Sequence, residues 1–390
     1  MPELAERMTR LGTEGAFEVL ARARALEAQG RRIVHMEIGE PDFETAPHVK
    51  DAATRALAEG LTHYGPSAGL LPAREAIARD VAQRRGIEVD PEQVVITPGA
   101  KPILTFTILA TVNEGDDVLL PDPGFPIYES VVRYIGARPL AVPLHEARDF
   151  RFDPDELRRR VTPRTRLIIL NSPHNPTGGV LTSEDLEAVA DVAREHDLWV
   201  LSDEIYSRLL YEGEHHSIAT LPGMAERTVI LDGFSKTYAM TGWRLGYGVA
   251  PAALAPALSR LQTNVTSCTA GFVQMAGVAA LEGPQDAVVA MLAEFRRRRA
   301  LVLDALNTID GVHCRAPGGA FYAFPRVDVP GMSSKAVADS LLDEEGVALL
   351  AGTAFGAQGE GFLRLSFATS QDELREGIAR LAQGLARLRR

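Results

Sequence analysis

The stretch RLIILNSPHNPTGGVLTSEDLEAVADVAREHDLWVLSDE, residues 166–204, holds two short apolar runs separated by an amphipathic segment. The runs RLIIL and LWVL are rich in Ile, Leu and Val and do not alternate with polar residues, which is typical of strands buried on both faces. Between them, Ser183 is predicted to cap a helix whose first turn carries the acidic pair Glu184 and Asp185. The order strand, helix, strand predicts a parallel α/β unit.

Five more apolar runs of the same kind occur along the middle of the chain, beginning at Val94, Asp117, Arg138, Thr228 and Gly246. With the two runs above, they predict an α/β domain with a mainly parallel seven-stranded sheet. The apolar segment ILTFTILATV, residues 103–112, is predicted to be a buried helix. It is too short for a membrane span, which needs about 20 residues.

The two ends of the chain differ in pattern from the middle. Residues 1–45 contain one helical stretch and the segment VHMEIGEPDF, and residues 285–390 combine a long charged helix with short apolar runs. We therefore predict an N-terminal arm with part of a small domain at 1–45, a large domain at 46–284 and a C-terminal small domain at 285–390. The smaller unit is expected to be α+β and to be built from both termini.

Composition narrows the classes of function and the compartment. The 390 residues carry a net charge of −11, which disfavours a surface for nucleic acid or anionic membranes. The two cysteines, Cys268 and Cys314, have no zinc-site spacing and cannot form a disulfide framework, so a reducing cytoplasm is expected. The opening residues MPELAERMTR lack an apolar core, so no signal peptide is expected.

Polar residues follow four of the predicted strands directly. They lie in TPGAK (97–101), NSPHNPTGG (171–179), SDEIY (202–206) and GFSK (233–236). In open α/β sheets, ligands bind beyond the carboxyl ends of the strands. These four segments are therefore predicted to meet at one edge of the sheet.

Two of these strand ends allow more than one interpretation. The backbone amides of Ala100 and Lys101 begin a helix and could bind an anion, or TPGAK could be a plain strand–helix connection. Asp203 ends a strongly apolar strand, where a carboxylate needs a cation or a donor. It could be a helix cap, a member of a buried ion pair, or the partner of a cationic ring nitrogen in a cofactor.

The segment SKTYAMTGWRLGY, residues 235–247, places two cations in a stretch that otherwise looks buried. Lys236 and Arg244 could be surface residues whose stems pack on apolar neighbours. They could equally serve the same edge of the sheet as Asp203, because Lys236 directly follows a predicted strand.

Six motifs occur in the chain in the order GEPDF, NSPHNPTG, SDEIY, GFSKTYAMTGWRLG, GGAFY and LRLSFA, between residues 39 and 368. In this set the chain resembles the class I/II aminotransferases of fold type I, which depend on pyridoxal 5′-phosphate (PLP). It is most similar to the bacterial aspartate-aminotransferase-like subgroup. The resemblance implies the fold type I architecture, with residues 46–284 as the PLP-binding domain.

The resemblance also implies roles around the cofactor ring. Lys236 would form the Schiff base with PLP and, once released by substrate, act as the catalytic base. Asp203 would keep the pyridinium nitrogen protonated. Asn175 and Tyr206 would hydrogen-bond the phenolic oxygen, and Phe125 would stack on the ring.

The cofactor phosphate would be held by a second group of residues. By resemblance these are Arg244, Ser235 and the backbone amides of Ala100 and Lys101, since a guanidinium forms paired, charge-assisted bonds with such a dianion. Tyr64 resembles a tyrosine that reaches the phosphate of the neighbouring subunit. That role implies a homodimer with shared active sites.

A third group would bind the substrate. Arg364 would clamp the α-carboxylate, with the Gly39 backbone and Asn175 beside it, and Tyr322 would border the substrate. Lys101 matches a lysine that meets the side-chain carboxylate of acidic substrates, or it is a helix-start lysine facing solvent. The family also implies cis peptide bonds before Pro123 and Pro176.

The expected reaction is a reversible transfer of an amino group between an L-amino acid and a 2-oxo acid in two ping-pong half-reactions. The expected acceptor is 2-oxoglutarate, and the donor is aspartate or a broader range of amino acids. The same residues would also suit a PLP-dependent β-eliminating C–S lyase, which releases pyruvate and ammonia. A ligand-sensing regulator would need an added DNA-binding segment, and a nucleotide enzyme would need glycine motifs that the chain lacks.

Overall fold

A computed structural model describes residues 2–390. The strands of these residues are β1 (Val34–His35), β2 (Val94–Thr97), β3 (Asp117–Asp122), β4 (Arg138–Pro143), β5 (Thr165–Asn171), β6 (Trp199–Asp203), β7 (Thr228–Gly233), β8 (Gly246–Val249), β9 (Val312–His313), β10 (Tyr322–Ala323), β11 (Arg326–Val327), β12 (Val347–Ala348), β13 (Leu350–Ala351) and β14 (Leu363–Ser366). The helices are α1 (Gly15–Glu27), α2 (Pro47–Ala58), α3 (Leu71–Arg85), α4 (Lys101–Thr111), α5 (Pro126–Tyr134), α6 (Pro154–Arg160), α7 (Ser183–Glu195), α8 (Ala255–Thr266), α9 (Gly271–Glu282), α10 (Asp286–Leu306), α11 (Ser334–Ser340) and α12 (Gln371–Leu388). No helix among these residues is long and apolar enough to cross a membrane.

The centre of the molecule is a seven-stranded sheet in the order β2-β8-β7-β6-β5-β3-β4. Strands β3 to β7 pair with one another in parallel, and β8 is antiparallel to both of its neighbours, β2 and β7. Each of the seven predicted apolar runs forms one of these strands. The predicted mainly parallel α/β sheet is confirmed.

The strands lack polar alternation because both faces of the sheet are covered. Along β5, Leu167 and Ile169 belong to one hydrophobic cluster, while Ile168 and Leu170 belong to a second. Helix α4 packs in the first cluster and α7 in the second. The predicted buried helix at 103–112 is α4, with residues such as Phe106 fully packed inside.

One predicted helix cap is wrong by a single residue. The N-cap of α7 is Thr182, and Ser183 is the first helical residue. The Thr182 hydroxyl accepts a hydrogen bond from the Asp185 amide at 3.2 Å, and the Asp185 carboxylate accepts one from the Thr182 amide at 2.9 Å. This reciprocal capping box requires a spacing of three residues, which favours Thr182 over Ser183 because Asp185 is the acidic partner.

Smaller sheets join the two ends of the chain. Strand β1 pairs in parallel with β12, the order β10-β14-β13 forms a three-stranded sheet, and β9 pairs with β11. Residues near position 35 therefore lie beside residues near position 347. The predicted domain boundaries at 45 and 284 stay predictions.

Candidate active site

A cavity of about 520 Å³ lies beyond the carboxyl ends of the central strands. Asn171 and Asp203, the last residues of β5 and β6, line it together with segments that follow β2 and β7. The four polar strand ends therefore meet at one edge of the sheet, as predicted. The predicted site residues that line the cavity are Gly39, Ala100, Lys101, Phe125, Asn175, Asp203, Tyr206, Ser235, Lys236, Arg244, Tyr322 and Arg364.

Lys236 follows β7, and its amine points into the cavity. The Nζ atom donates a hydrogen bond to the carbonyl oxygen of Gly39 at 2.5 Å. Burial lowers the pKa of Lys236 to about 8; the carboxylates of Glu40 and Glu14 oppose this shift, and the charge of Lys101 adds to it. Roughly a tenth of the amine is then neutral at pH 7, so it can act as a nucleophile or a base.

Asp203 ends β6 and is buried at the floor of the cavity. Tyr128 donates its hydroxyl to Oδ2 at 2.6 Å, and the Ile205 amide donates to Oδ1 at 3.2 Å. No side-chain cation of residues 2–390 forms an ion pair with this carboxylate, which removes the buried ion pair from the interpretations above. Burial raises the pKa of Asp203 to about 7 despite these two bonds.

A chain of amide bonds connects Asp203 to the substrate side of the cavity. The Asn171 side-chain amide donates to the Asp203 carbonyl at 3.1 Å, and its Oδ1 accepts from the Asn175 backbone amide at 2.8 Å. The Asn175 side-chain oxygen in turn accepts from Arg364 Nη1 at 3.2 Å. Asn175 is thus held between the end of β5 and an arginine from β14.

Arg364 is buried on β14 and carries unused hydrogen-bonding capacity. Its Nη2 donates to the Glu37 carbonyl, while Nε is buried without a hydrogen-bond partner in the described part of the chain. The guanidinium carbon lies 4.5 Å from the ring centroid of Tyr322 and 4.9 Å from that of Phe355. Burial lowers the pKa of Arg364 from its usual value. A desolvated guanidinium with a free donor fits a carboxylate ligand.

Two tyrosines from different parts of the chain meet in the cavity. The hydroxyls of Tyr206, in the turn after β6, and Tyr322, on β10, are 2.8 Å apart. Burial raises the pKa of both, so each hydroxyl stays protonated and can donate a hydrogen bond. Glycine is required at position 39, because a Cβ atom there would overlap the Tyr322 hydroxyl.

Arg244 lies at the exposed end of the cavity beside the N-terminus of α4. Its φ angle is 55°, and Nη1 donates to the Thr241 carbonyl at 2.7 Å. A Cβ at Gly99 would overlap this guanidinium, so glycine lets it approach the backbone before Ala100. Ser235 also lines the cavity. Arg244 is exposed, whereas Lys236 is partly buried.

Phe125 and Lys101 form one wall of the cavity. The Phe125 ring packs edge-on against Tyr128 with centroids 5.5 Å apart, and Lys101 Nζ lies 5.5 Å from the Phe125 centroid. Lys101 is the first residue of α4 and pairs with Glu14. Its side chain is 49% exposed, so it both lines the cavity and reaches solvent.

Tyr64 is the predicted site residue that the chain does not bring to its own cavity. It is 89% exposed and does not line the cavity. Its predicted contact with a neighbouring subunit stays a prediction.

Tyr128 and Glu14 are two of the cavity residues that the predicted set does not contain. Tyr128 lies three residues after Phe125 across the start of α5, a spacing that places both on one side and could have revealed it. Glu14 directly precedes α1 and meets Lys101, which is distant in sequence. No local pattern marks Glu14.

Three peptide bonds before proline are cis, and all lie at strand ends near the cavity. The bonds before Pro123 and Pro176 are cis as predicted, and the bond between Ser172 and Pro173 is also cis, which was not predicted.

Comparison with known proteins identifies the family. The model of the family "Aminotransferase class I and II" matches residues 31–381. The chain belongs to this family. It is an aminotransferase with the fold type I architecture, as the resemblance implied.

The relatives of this aminotransferase cover nearly its whole length. It is 44% identical to aromatic-amino-acid aminotransferase 2 of Thermococcus litoralis, over 92% of the chain and 93% of that relative. It is 41% identical to the arginine–pyruvate transaminase of Pseudomonas aeruginosa, over 96% of the chain and 95% of that relative. A solved aspartate aminotransferase from Thermus thermophilus with maleate is 38% identical, with a TM-score of 0.93 over 98% of the chain and all of that structure.

Proposed function

We propose that this aminotransferase uses PLP, held in the cavity, to exchange an amino group between an L-amino acid and a 2-oxo acid. The observation that carries the proposal is the meeting of four charged groups in one cavity. These are the low-pKa amine of Lys236, the buried carboxyl of Asp203, and the guanidiniums of Arg244 and Arg364. Arg244 lies beside the start of α4, whereas Arg364 contacts Asn175 and Tyr322. Two anions can therefore be held at once.

The residues present fit PLP. The buried carboxyl of Asp203 has no cation partner among residues 2–390, and a protonated ring nitrogen would supply one. The glycine at position 99 lets the Arg244 guanidinium approach the start of α4, where a phosphate would be held. Both features are accounted for by one ligand with a pyridinium at one end and a phosphate at the other.

The residues that would hold PLP differ in the part of the cofactor that each would contact. Lys236 would bind its aldehyde covalently, and Asp203 its ring nitrogen. The remaining contacts would come from Asn175 and Tyr206 to the phenolic oxygen, from Phe125 to the ring face, and from Arg244, Ser235 and the amides of Ala100 and Lys101 to the phosphate.

The bound cofactor supplies a ring that accepts electrons from the substrate α-carbon. The chain supplies the positioning and the proton transfer. Arg364 binds the α-carboxylate through its free donor, with Asn175 and the Gly39 backbone beside it. The Lys236 amine removes the proton from the α-carbon, which its lowered pKa allows near neutral pH. Tyr322 borders the substrate and holds Tyr206 through its hydroxyl.

We propose ping-pong kinetics with 2-oxoglutarate as acceptor and with aspartate or a wider range of amino donors. Support for a wide range comes from the relatives, which are named for aromatic amino acids, arginine and aspartate. Lys236 and Arg364 line the same cavity, which suits donor and acceptor binding there in turn.

We also propose that the active form is a homodimer in a reducing cytoplasm. The strongly exposed Tyr64 is free to reach a second copy, and large apolar side chains such as Leu57 and Val265 are exposed on the same chain. Both cysteines are unpaired, which suits a reducing compartment. Residues 46–284 would form the PLP-binding domain, since the central sheet lies within them.

The proposal is tested on purified protein supplied with PLP. We expect a visible absorption band that Lys236→Ala removes, together with nearly all turnover of an amino-donor panel against 2-oxoglutarate. Amino-group transfer without release of ammonia supports the aminotransferase over the C–S lyase. A protein that binds no PLP, or that forms pyruvate and ammonia from a sulfur amino acid without transfer, contradicts the proposal.

A further inference from the structure

Glu14 faces the cavity opposite Lys101 and pairs with it. The Glu14 carboxylate accepts from Lys101 Nζ, and the two side chains are 16% and 49% exposed. Glu14 occupies the N-cap position of α1, yet its side chain makes no capping bond to the helix amides. The carboxylate turns instead to the lysine across the cavity edge.

The fold holds Glu14 in this place. Two residues earlier, the Gly12 amide donates to the hydroxyl of Ser130 at 2.9 Å, and that hydroxyl donates to the Gly12 carbonyl at 3.2 Å. Ser130 is buried on α5, so the segment before α1 is tied to the large sheet's own helices. The next residues, Ala16 and Phe17, also line the cavity.

Lys101 differs from the other cations of the cavity. Among residues 2–390, Lys236, Arg244 and Arg364 donate to carbonyl or amide oxygens and form no ion pair. Lys101 alone of the four has its charge balanced by a carboxylate. An acidic substrate side chain that binds Lys101 must therefore replace the Glu14 carboxylate.

We propose that Glu14 determines substrate choice by competing with the substrate side chain for Lys101, an inference that rests on the proposed aminotransferase function. While Glu14 holds Lys101, that wall of the cavity has no net charge and accepts an uncharged side chain. An acidic substrate displaces Glu14 with its distal carboxylate, and Glu14 turns outward, since its side chain already reaches solvent. The same cavity thus takes neutral and acidic substrates in the two half-reactions.

The charge of Glu14 acts well inside the cavity. It opposes the lowering of the pKa of Lys236 and of Arg364 by burial, and these are the groups proposed to meet the reacting atoms and the α-carboxylate. A carboxylate with this reach repels a second carboxylate near Lys101. Acidic substrates therefore bind less tightly than a free Lys101 would allow.

The test uses the PLP-loaded enzyme and Glu14→Gln, which keeps the shape and removes the charge. We expect the KM for aspartate and for 2-oxoglutarate to fall about three- to tenfold, where tenfold corresponds to about 1.4 kcal/mol. The KM for phenylalanine should not fall, because Glu14→Gln leaves Lys101 facing that uncharged side chain without a counter-charge. Glu18→Gln, the same change at an exposed position of α1, should leave every KM unchanged.

Further variants test whether Glu14 acts through Lys101 and whether the effect depends on glutamine at position 14. In Lys101→Met the KM for acidic substrates should rise, and adding Glu14→Gln to it should have no further effect, because the competition is gone. Glu14→Ser, which keeps a good capping residue before α1, should reproduce Glu14→Gln if the glutamine variant folds poorly.

The outcomes separate this inference from the proposed function. Wild-type protein that transfers no amino group from any donor overturns the proposed function. Normal wild-type turnover with equal changes for aspartate and phenylalanine in Glu14→Gln overturns the role of Glu14. A higher KM for aspartate in that variant also overturns it, because Glu14 would then orient Lys101 for the substrate instead of competing.

Discussion

Asp203 and Glu204 are consecutive buried carboxylates at the end of β6, and their pKa values shift in opposite directions. Burial raises the pKa of Asp203 to about 7, with only the Tyr128 hydroxyl and a backbone amide as donors. Burial pushes the pKa of Glu204 upward as well, but the charge of Arg85, helped by His215 and Ser217, holds it well below its usual range. Two equally buried carboxylates therefore have pKa values shifted in opposite directions, and the neighbouring charge decides the direction of the shift.

The two side chains face different sides of the strand end. Glu204 points into a closed cluster in which Arg85 bonds it through Nε at 2.6 Å and bonds Asp232 through Nη2 at 2.6 Å. Ser217, His215 and Ser202 also contact the Glu204 carboxylate. Asp203 points into the cavity and has no cationic partner among residues 2–390. The protein itself supplies the cation that pairs with Glu204, whereas the Asp203 carboxylate is left to pair with a ligand.

The largest expected effect comes from removing the shared cation of the closed cluster. Arg85→Met removes the guanidinium that the buried carboxylates of Glu204 and Asp232 share, which should lower the free energy of unfolding by about 3–5 kcal/mol. Denaturant unfolding followed by circular dichroism measures this loss.

The matched control for this variant is its neighbour in α3. Arg84 pairs with Asp80 on the same helix at a partly exposed position, so Arg84→Met should cost no more than about 1 kcal/mol. Equal losses in the two variants would show that the buried cluster contributes no more than a surface pair.

A change of Asp203, the carboxylate that faces the cavity, should affect activity rather than stability. In Asp203→Asn we expect turnover with PLP to fall on the order of 10²–10³-fold, because an amide cannot hold the ring nitrogen protonated. Stability should change little, since no ion pair is lost. Single-turnover kinetics and denaturant unfolding on the same sample check both halves of this expectation, and a large loss of stability would contradict it.

Asp203 should also leave a signature in the pH dependence of stability. Its pKa is raised in the folded protein without PLP, so between its usual value of 3.8 and about 7 the folded state binds a proton that the unfolded state does not. Stability should therefore fall as pH rises through this window, and Asp203→Asn should remove that part of the slope.

Glu204 should have the opposite signature. Its pKa is lowered in the folded protein, so the stability that Glu204 contributes is fully present above its usual pKa and is lost as the pH falls toward its folded-state pKa.

The Asp203 prediction has its own control. A stability slope between pH 5 and 7 that survives in Asp203→Asn would assign that titration to another group.

Local sequence patterns were sufficient to predict the central sheet and the edge of the sheet at which the cavity lies. The seven strands were predicted because unbroken apolar runs are typical of strands covered on both faces. Polar residues directly after four runs located the cavity, because parallel strands end on one side of a sheet. Thr182 was missed in favour of Ser183 because two adjacent hydroxyl residues fit the cap equally well until Asp185 is known to close the capping box.

Contacts between distant residues could not be predicted in the same way. Lys101 and Glu14 are 87 residues apart, and Arg85 lies 119 residues from Glu204 and 147 from Asp232. Neither spacing nor composition indicates which charges meet once α1 and α3 pack on the sheet. Asp203 could be assigned to a strand end from sequence, but its lack of a cation partner became visible only when every neighbour was placed.

The smallest expected effect tests the one side-chain donor that Asp203 has. Tyr128 donates to Oδ2 at 2.6 Å and so favours the charged carboxylate, which means that Tyr128→Phe should raise the pKa of Asp203 further above its usual value. The upper end of the falling stability slope should then move to higher pH, and unfolding should cost about 1 kcal/mol less for the lost bond. Turnover should fall less than about tenfold, since Asp203 itself remains to meet the ring nitrogen. A pH profile identical to that of the wild type would mean that the Tyr128 hydroxyl does not set the charge of Asp203, and that the Ile205 amide and the cavity ligand act alone.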